Sequence, residues 1–110
     1  MTNVFADQTK FMVACDQTVD TYNSEQYKLY LNLIREEYNE LMVALDQEDL
    51  VEQLDALEDL IVVIVGAMNS AGFNGEGAWN EVMRTNFAKI DPETGKVRKR
   101  EDGDRKSTRL

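Results

Sequence analysis

The chain has 110 residues, 43% of them hydrophobic and 30% charged, with 21 acids against 12 bases and a net charge of −9. That size allows a single core near the range where association begins to help stability, and the acidity argues against a nucleic-acid binder, which presents a basic face to phosphates. A single cysteine and no histidine exclude an internal disulfide, the usual zinc sites and every nucleophile system that depends on histidine.

Any catalysis must therefore rest on carboxylates, a metal, lysine or tyrosine. The N-terminus lacks the charged-then-apolar pattern of a secretory leader. The longest apolar run, Leu60 to Met68, is too short to cross a bilayer. These features predict a cytoplasmic protein with no membrane contact.

In chain order, Val4, Phe5, Phe11, Met12 and Cys15 recur at roughly helical spacing and predict a first helix over Thr2 to Asp16. Cys15 reads as a small buried hydrophobe. The polar segment from Asp16 leads to Ser24, a good N-cap residue. A second helix is predicted from Glu25 to Leu45, because Tyr27, Tyr30, Leu31, Ile34, Tyr38, Leu41 and Leu45 repeat at three- and four-residue intervals.

Asp46 to Asp49 is an acidic turn in which either aspartate can cap a third helix, Glu48 to Ala71. Leu50, Leu54, Leu57 and Ile61 form one stripe of that helix. Its second half, Leu-Ile-Val-Val-Ile-Val-Gly-Ala-Met, is apolar all round, which predicts burial in a bundle or a subunit interface. Gly66 then permits close helix approach. A loop rich in glycine and asparagine follows, with Asn74 as a candidate cap. A fourth helix from Glu76 to Lys89 presents Trp79, Val82, Met83 and Phe87. Tyr27, Tyr30, Tyr38, Trp79 and Phe87 are expected to serve core and interface packing.

Asp91-Pro92-Glu93-Thr94-Gly95 is a turn signal, and beyond it lies a basic polar stretch with seven bases and three acids from Gly95 onward. The expected organisation is a helical domain over residues 1–90 and a basic C-terminal tail over 91–110.

The chemistry concentrates between Glu36 and Asp59, a stretch with ten carboxylates and no base. Residues three or four apart share a helix face, so Glu37 projects with Glu40, and Glu52 and Asp59 with Asp55. Glu37, Asp55 and Asp59 sit beside apolar stripes, where an unpaired carboxylate is expensive. A hard cation that prefers oxygen ligands, magnesium above all and manganese as a second possibility, would offset that cost. A solvated acidic face is the alternative reading.

Three motifs in order resemble a known family. Arg35-Glu-Glu-Tyr-Asn-Glu40 matches an E-E-x-x-E pattern, Asp59-Leu-Ile-Val-Val-Ile-Val-Gly-Ala67 a D-L-x-x-V-x-x-G pattern, and Glu81-Val-Met-Arg-Thr-Asn-Phe-Ala-Lys89 an E-V-x-x-x-N-x-x-K pattern. Together they resemble the all-α nucleoside triphosphate pyrophosphohydrolases of the MazG and phosphoribosyl-ATP pyrophosphohydrolase type. The resemblance implies that Glu37, Glu40 and Asp59 ligate magnesium, with Glu36 as a further ligand, support or general base. It also places Asn86 and Lys89 against the substrate, with Arg84 nearby as a further candidate; the alternative is a helix C-terminus carrying favourable cations.

One departure matters. The family's second motif is E-x-x-D, yet Ala56 stands three residues before Asp59. Asp55, on the same face, can replace the missing ligand. Glu52-Gln-Leu-Asp55 offers an alternative frame, although it misplaces the apolar run and glycine downstream.

These readings combine into an all-α four-helix bundle, dimeric or tetrameric. The expected reaction is magnesium-dependent hydrolysis of a nucleoside triphosphate between the α and β phosphates, giving the monophosphate and pyrophosphate. Phosphoribosyl-ATP hydrolysis and a non-catalytic acidic interaction module are the alternatives.

Overall fold

Three successive helices of this chain end in the same way. The computed structural model describes residues 2–97, and its named elements are α1 (Val4–Ala14), α2 (Ser24–Asp46), α3 (Leu50–Ser70) and α4 (Gly75–Phe87). Where α1 stops, Asp16 takes a left-handed φ of 59°, and Gln17 N–H donates back to the Met12 carbonyl at 3.0 Å. Glu48 repeats the move after α2 (φ 55°, Asp49 N–H to the Ala44 carbonyl at 3.0 Å), and Gly72 after α3 (φ 74°, Phe73 N–H to the Met68 carbonyl at 3.0 Å). Each is a Schellman closure, which satisfies carbonyls that the last turn leaves without partners.

The starts are capped as firmly. Asn3, Asn23 and Asp49 each accept from the backbone N–H three residues on, the geometry of a side-chain N-cap. Asn23 therefore replaces Ser24, the cap expected from the sequence. Asn23 sits in extended backbone, whereas Ser24 is already helical. Asp49 does double service: its N–H closes α2 while its carboxylate opens α3.

The chain divides into two compact units after Gly75. In the first, α2 and α3 form an antiparallel hairpin joined by Gln47, Glu48 and Asp49. Met12, Tyr30, Val63 and Ala67 make its buried cluster, flanked by Val19, Tyr27, Leu33 and Ile34. The hairpin closes tightly at Gly66, where an added Cβ would run into the Tyr30 ring at Cε1. Tyr30 covers the glycine backbone and donates its hydroxyl hydrogen to Gln17 Oε1 at 2.6 Å.

A polar clasp ties the connection before α2 to the end of α3. Gln26 accepts from Thr18 N–H at 3.0 Å and donates to the Thr18 carbonyl at 2.7 Å and to Ser70 Oγ at 2.8 Å. Ser70 is fully buried and in turn donates to the Gly66 carbonyl at 2.7 Å. Asn69 Nδ2 reaches Thr9 Oγ1 at 3.0 Å, docking α1 on α3.

Burial departs from three expectations. Cys15 is exposed, because it caps α1 where the chain turns outward. Tyr38, Trp79 and Phe87 are also exposed, outside the core formed within this chain. Of the all-apolar half of α3, Val63, Val65 and Ala67 are buried but Ile61, Val62 and Ile64 are not. The first unit by itself does not surround that helix.

The second unit holds α4 and the segment after it. Arg84 pairs with Glu81 one turn earlier through two bonds, 3.0 and 2.6 Å, a contact at the surface that contributes little. The expected turn is present: Gly95 N–H donates to the Asp91 carbonyl at 2.7 Å, and Asp91 N–H to that of Lys96 at 2.8 Å. Ile90 and Val97 bridge across it. The remainder of the basic stretch, 98–110, lies outside the described residues.

Candidate metal centre

The α2–α3 hairpin brings carboxylates from both helices to one place. Glu37 and Glu40 lie one turn apart on α2, and Asp59 faces them from α3, with one oxygen from each acid within 4.8 Å of the others. Glu40 is exposed while Glu37 and Asp59 are half-buried, a consequence of their places beside the stripe that packs the hairpin. No ion pair among the described residues involves these three acids.

The electrostatics record the crowding. Burial is the first cause that pushes Glu37 up, from 4.5 to about 7. The second is a hydrogen bond with Glu40 that requires a proton on one of the two carboxyls, and the charges of Glu40, Asp59 and Asp55 add to it. Asp59 is raised by burial first, then by Asp55, Glu40 and Glu58. Glu37 Oε2 is closed off from solvent and has no hydrogen-bond partner among the described residues, a costly state for a carboxylate oxygen.

Those observations test the donor set for a cation. Three carboxylates, a partnerless buried oxygen among them, with no base paired to them among the described residues, fit a hard divalent ion with oxygen coordination.

The other sequence candidates fall in different places. Asp55 lies near enough to raise both Glu37 and Asp59 but outside the close group of three. Glu36 is exposed and likewise outside it. Asn86 is in the last turn of α4, with its Oδ1 buried and unpartnered. Lys89 stands two residues beyond that helix, and Arg84 is engaged by Glu81. The assignment of Asn86 and Lys89 to substrate rests on the sequence motif, and that of Arg84 on its nearness to them in sequence.

A cleft of about 380 Å³ opens beside the acids. Glu40 lines it together with Asn39, Val43 and Gln47 of the α2 side and Glu52 and Asp55 of α3, over Ala44 and Ala56. The last two are buried, so the departure from the family pattern at Ala56 puts a methyl group at the base of the cleft. Asn39 and Gln47 escaped the sequence reading. Their signal was the i, i+4, i+8 series Asn39, Val43, Gln47, a polar-edged face that only the cleft explains.

Glu37, Glu40 and Asp59, gathered from two antiparallel helices, form an acidic group that could hold a metal ion. Residues 11–86 match the family model described as phosphoribosyl-ATP pyrophosphohydrolase, and the chain belongs to that family. It is accordingly a pyrophosphohydrolase, a hydrolase acting on phosphorus-containing anhydrides. No curated protein matches the sequence.

Proposed function

We propose that the chain hydrolyses a nucleoside triphosphate between its α and β phosphates, with magnesium, or manganese in its place, held by Glu37, Glu40 and Asp59 and supported by Asp55. The observation that carries this reading is the buried Glu37 oxygen, partnerless among the described residues, inside a three-acid group that no described base pairs with. A divalent ion at such a site neutralises phosphate charge and lowers the pKa of an attacking water.

The chain's own residues divide the remaining work. Glu37, Glu40 and Asp59 present hard oxygen donors from two helices fixed by the Asp49 turn. Glu36, exposed beside that group, takes the proton from the attacking water as general base. The cleft beyond Glu40 receives the nucleoside, with the Asn39 and Gln47 amides at its edge. Water is the nucleophile throughout, so no covalent enzyme intermediate is required. The net charge of −9 supports a free nucleotide rather than nucleic acid as substrate.

Phosphoribosyl-ATP is the second substrate reading, favoured by the family match. Pyrophosphate release from a panel of ribo- and deoxyribonucleoside triphosphates and phosphoribosyl-ATP, with magnesium and with chelator, separates the two. Turnover that vanishes with chelator and in Glu40→Gln supports the cation site. Undiminished turnover in both would refute it.

A further inference from the structure

The cleft beside the acid group has a chemistry that phosphate binding does not explain. Its walls carry the carboxylates of Glu40, Glu52 and Asp55, its floor is formed by Ala44 and Ala56, and no base among the described residues lines it. Such a lining repels phosphate. It favours an uncharged group with hydrogen-bond donors, because a carboxylate supplies acceptors. A volume of about 380 Å³ is within the range that holds a small ligand such as a base with its sugar.

Position adds a second constraint. Gln47 follows Glu40 by about two helical turns, and Glu52 precedes Asp59 by the same interval, roughly 10 Å at the rise of an α-helix. Because α2 and α3 run antiparallel, both displacements point toward the Asp49 turn. Gln47 and Glu52 thus stand together at the end of the cleft away from the acid group. Neither side chain is engaged by another described residue. With the α-phosphate at the acids and the sugar next to it, that end is where the far edge of the base comes to lie, its ring passing over the two buried alanines.

We propose that Glu52 and Gln47 read the Watson–Crick edge of the base and select guanine nucleotides. The inference rests on the proposed cleavage between the α and β phosphates, which sets the direction of the nucleotide in the cleft. The two oxygens of a carboxylate match two donors side by side. Among the common bases only guanine offers that pair, N1–H and the 2-amino group, and its neighbouring O6 accepts from the Gln47 amide. Cytosine and adenine keep one amino donor beside a ring acceptor. Uracil and thymine set two carbonyl oxygens around a single N–H, so one of those oxygens meets the carboxylate. The expected order is guanine, then cytosine and adenine, then thymine and uracil.

The test has a kinetic arm and a binding arm. With magnesium, kcat/KM for dGTP should exceed that for dTTP by at least about tenfold, the discrimination expected of one bidentate contact to a base. Glu52→Gln replaces acceptors by an amide that suits either base, and should bring the ratio to within about threefold. Its effect on phosphate charge falls on every nucleotide and cancels in the ratio. Gln47→Leu should lower the same ratio. Both positions are exposed, so helical circular dichroism should be unchanged in either variant. Calorimetry with dGMP and dTMP needs no turnover and should show the preference in wild type and its loss in Glu52→Gln. Equal kcat/KM for all nucleotides, or a guanine preference that survives Glu52→Gln, would overturn the proposal and leave the hydrolase reading standing. Pyrophosphate release from no nucleotide would overturn that reading instead. Calorimetry then decides for the cleft: a preference for dGMP that depends on Glu52 supports the assignment, and its absence refutes it.

Discussion

Neutralising Glu37 should stabilise the metal-free protein, contrary to the usual consequence of removing a half-buried polar group. In the folded chain Glu37 titrates at about 7 instead of 4.5. Between those values the folded protein keeps a proton that the unfolded chain has released. Stability is therefore full below pH 4.5 and is lost as the pH rises to about 7. The whole separation corresponds to about 3.4 kcal/mol, and because Glu37 is only partly shielded from water, screening reduces this to about 1–2 kcal/mol. Glu37→Gln removes the titration. Urea unfolding in chelator should give equal stabilities for variant and wild type at about pH 5, and an advantage of about 1–2 kcal/mol to the variant at about pH 8. Other carboxylates and the net charge affect both proteins, so the difference of differences isolates Glu37. Magnesium should reverse the order, adding about 2.7 kcal/mol to wild type alone at a hundred times its dissociation constant. A variant less stable than wild type at the higher pH in chelator would refute the account of the acid group.

Other expectations concern the scaffold. Gly66→Ala forces a methyl group into the Tyr30 ring and should cost about 2–3 kcal/mol, read as a lowered urea midpoint. Glu48→Gly removes a left-handed strain from the α2–α3 turn and should raise stability by about 0.5–1 kcal/mol, whereas a loss would mean that the Glu48 side chain contributes unseen contacts. Gln26→Leu strips partners from Thr18 and the buried Ser70, and thermal unfolding should show a loss of about 2 kcal/mol or more.

Much of this was legible in the sequence, and the reasons differ by residue. The four helices could be read because their apolar periodicity and caps agree: the stripe from Tyr27 to Leu45, and the aspartate that starts α3. Glu37 and Glu40 could be grouped because i, i+3 spacing puts them on one face of α2, while their grouping with Asp59 came from the resemblance of the motifs to the pyrophosphohydrolase family. Asn23 was hidden by Ser24, an equally good cap one residue later, since only backbone dihedrals decide which is outside the helix. The burial of Ile61, Val62 and Ile64 could not be judged, because an apolar helix face reads the same whether it meets its own chain or another. Asn39 and Gln47 were missed for a related reason. A polar residue on an amphipathic helix looks solvated until the opposite wall of the cleft, Glu52 and Asp55, is in place.

The central claim is that the acid group of the α2–α3 hairpin is the cation site of the hydrolase. Its most direct test is pyrophosphate release as a function of magnesium, compared between wild type and Asp59→Asn with helical content verified for both. The account expects saturable activation of wild type and a loss of at least about a hundredfold in kcat for the variant, since a transition-state contribution of that size is typical of a charge clamp on phosphate. Equal activity and equal magnesium dependence in the two proteins would contradict it and move the cation site elsewhere in the chain.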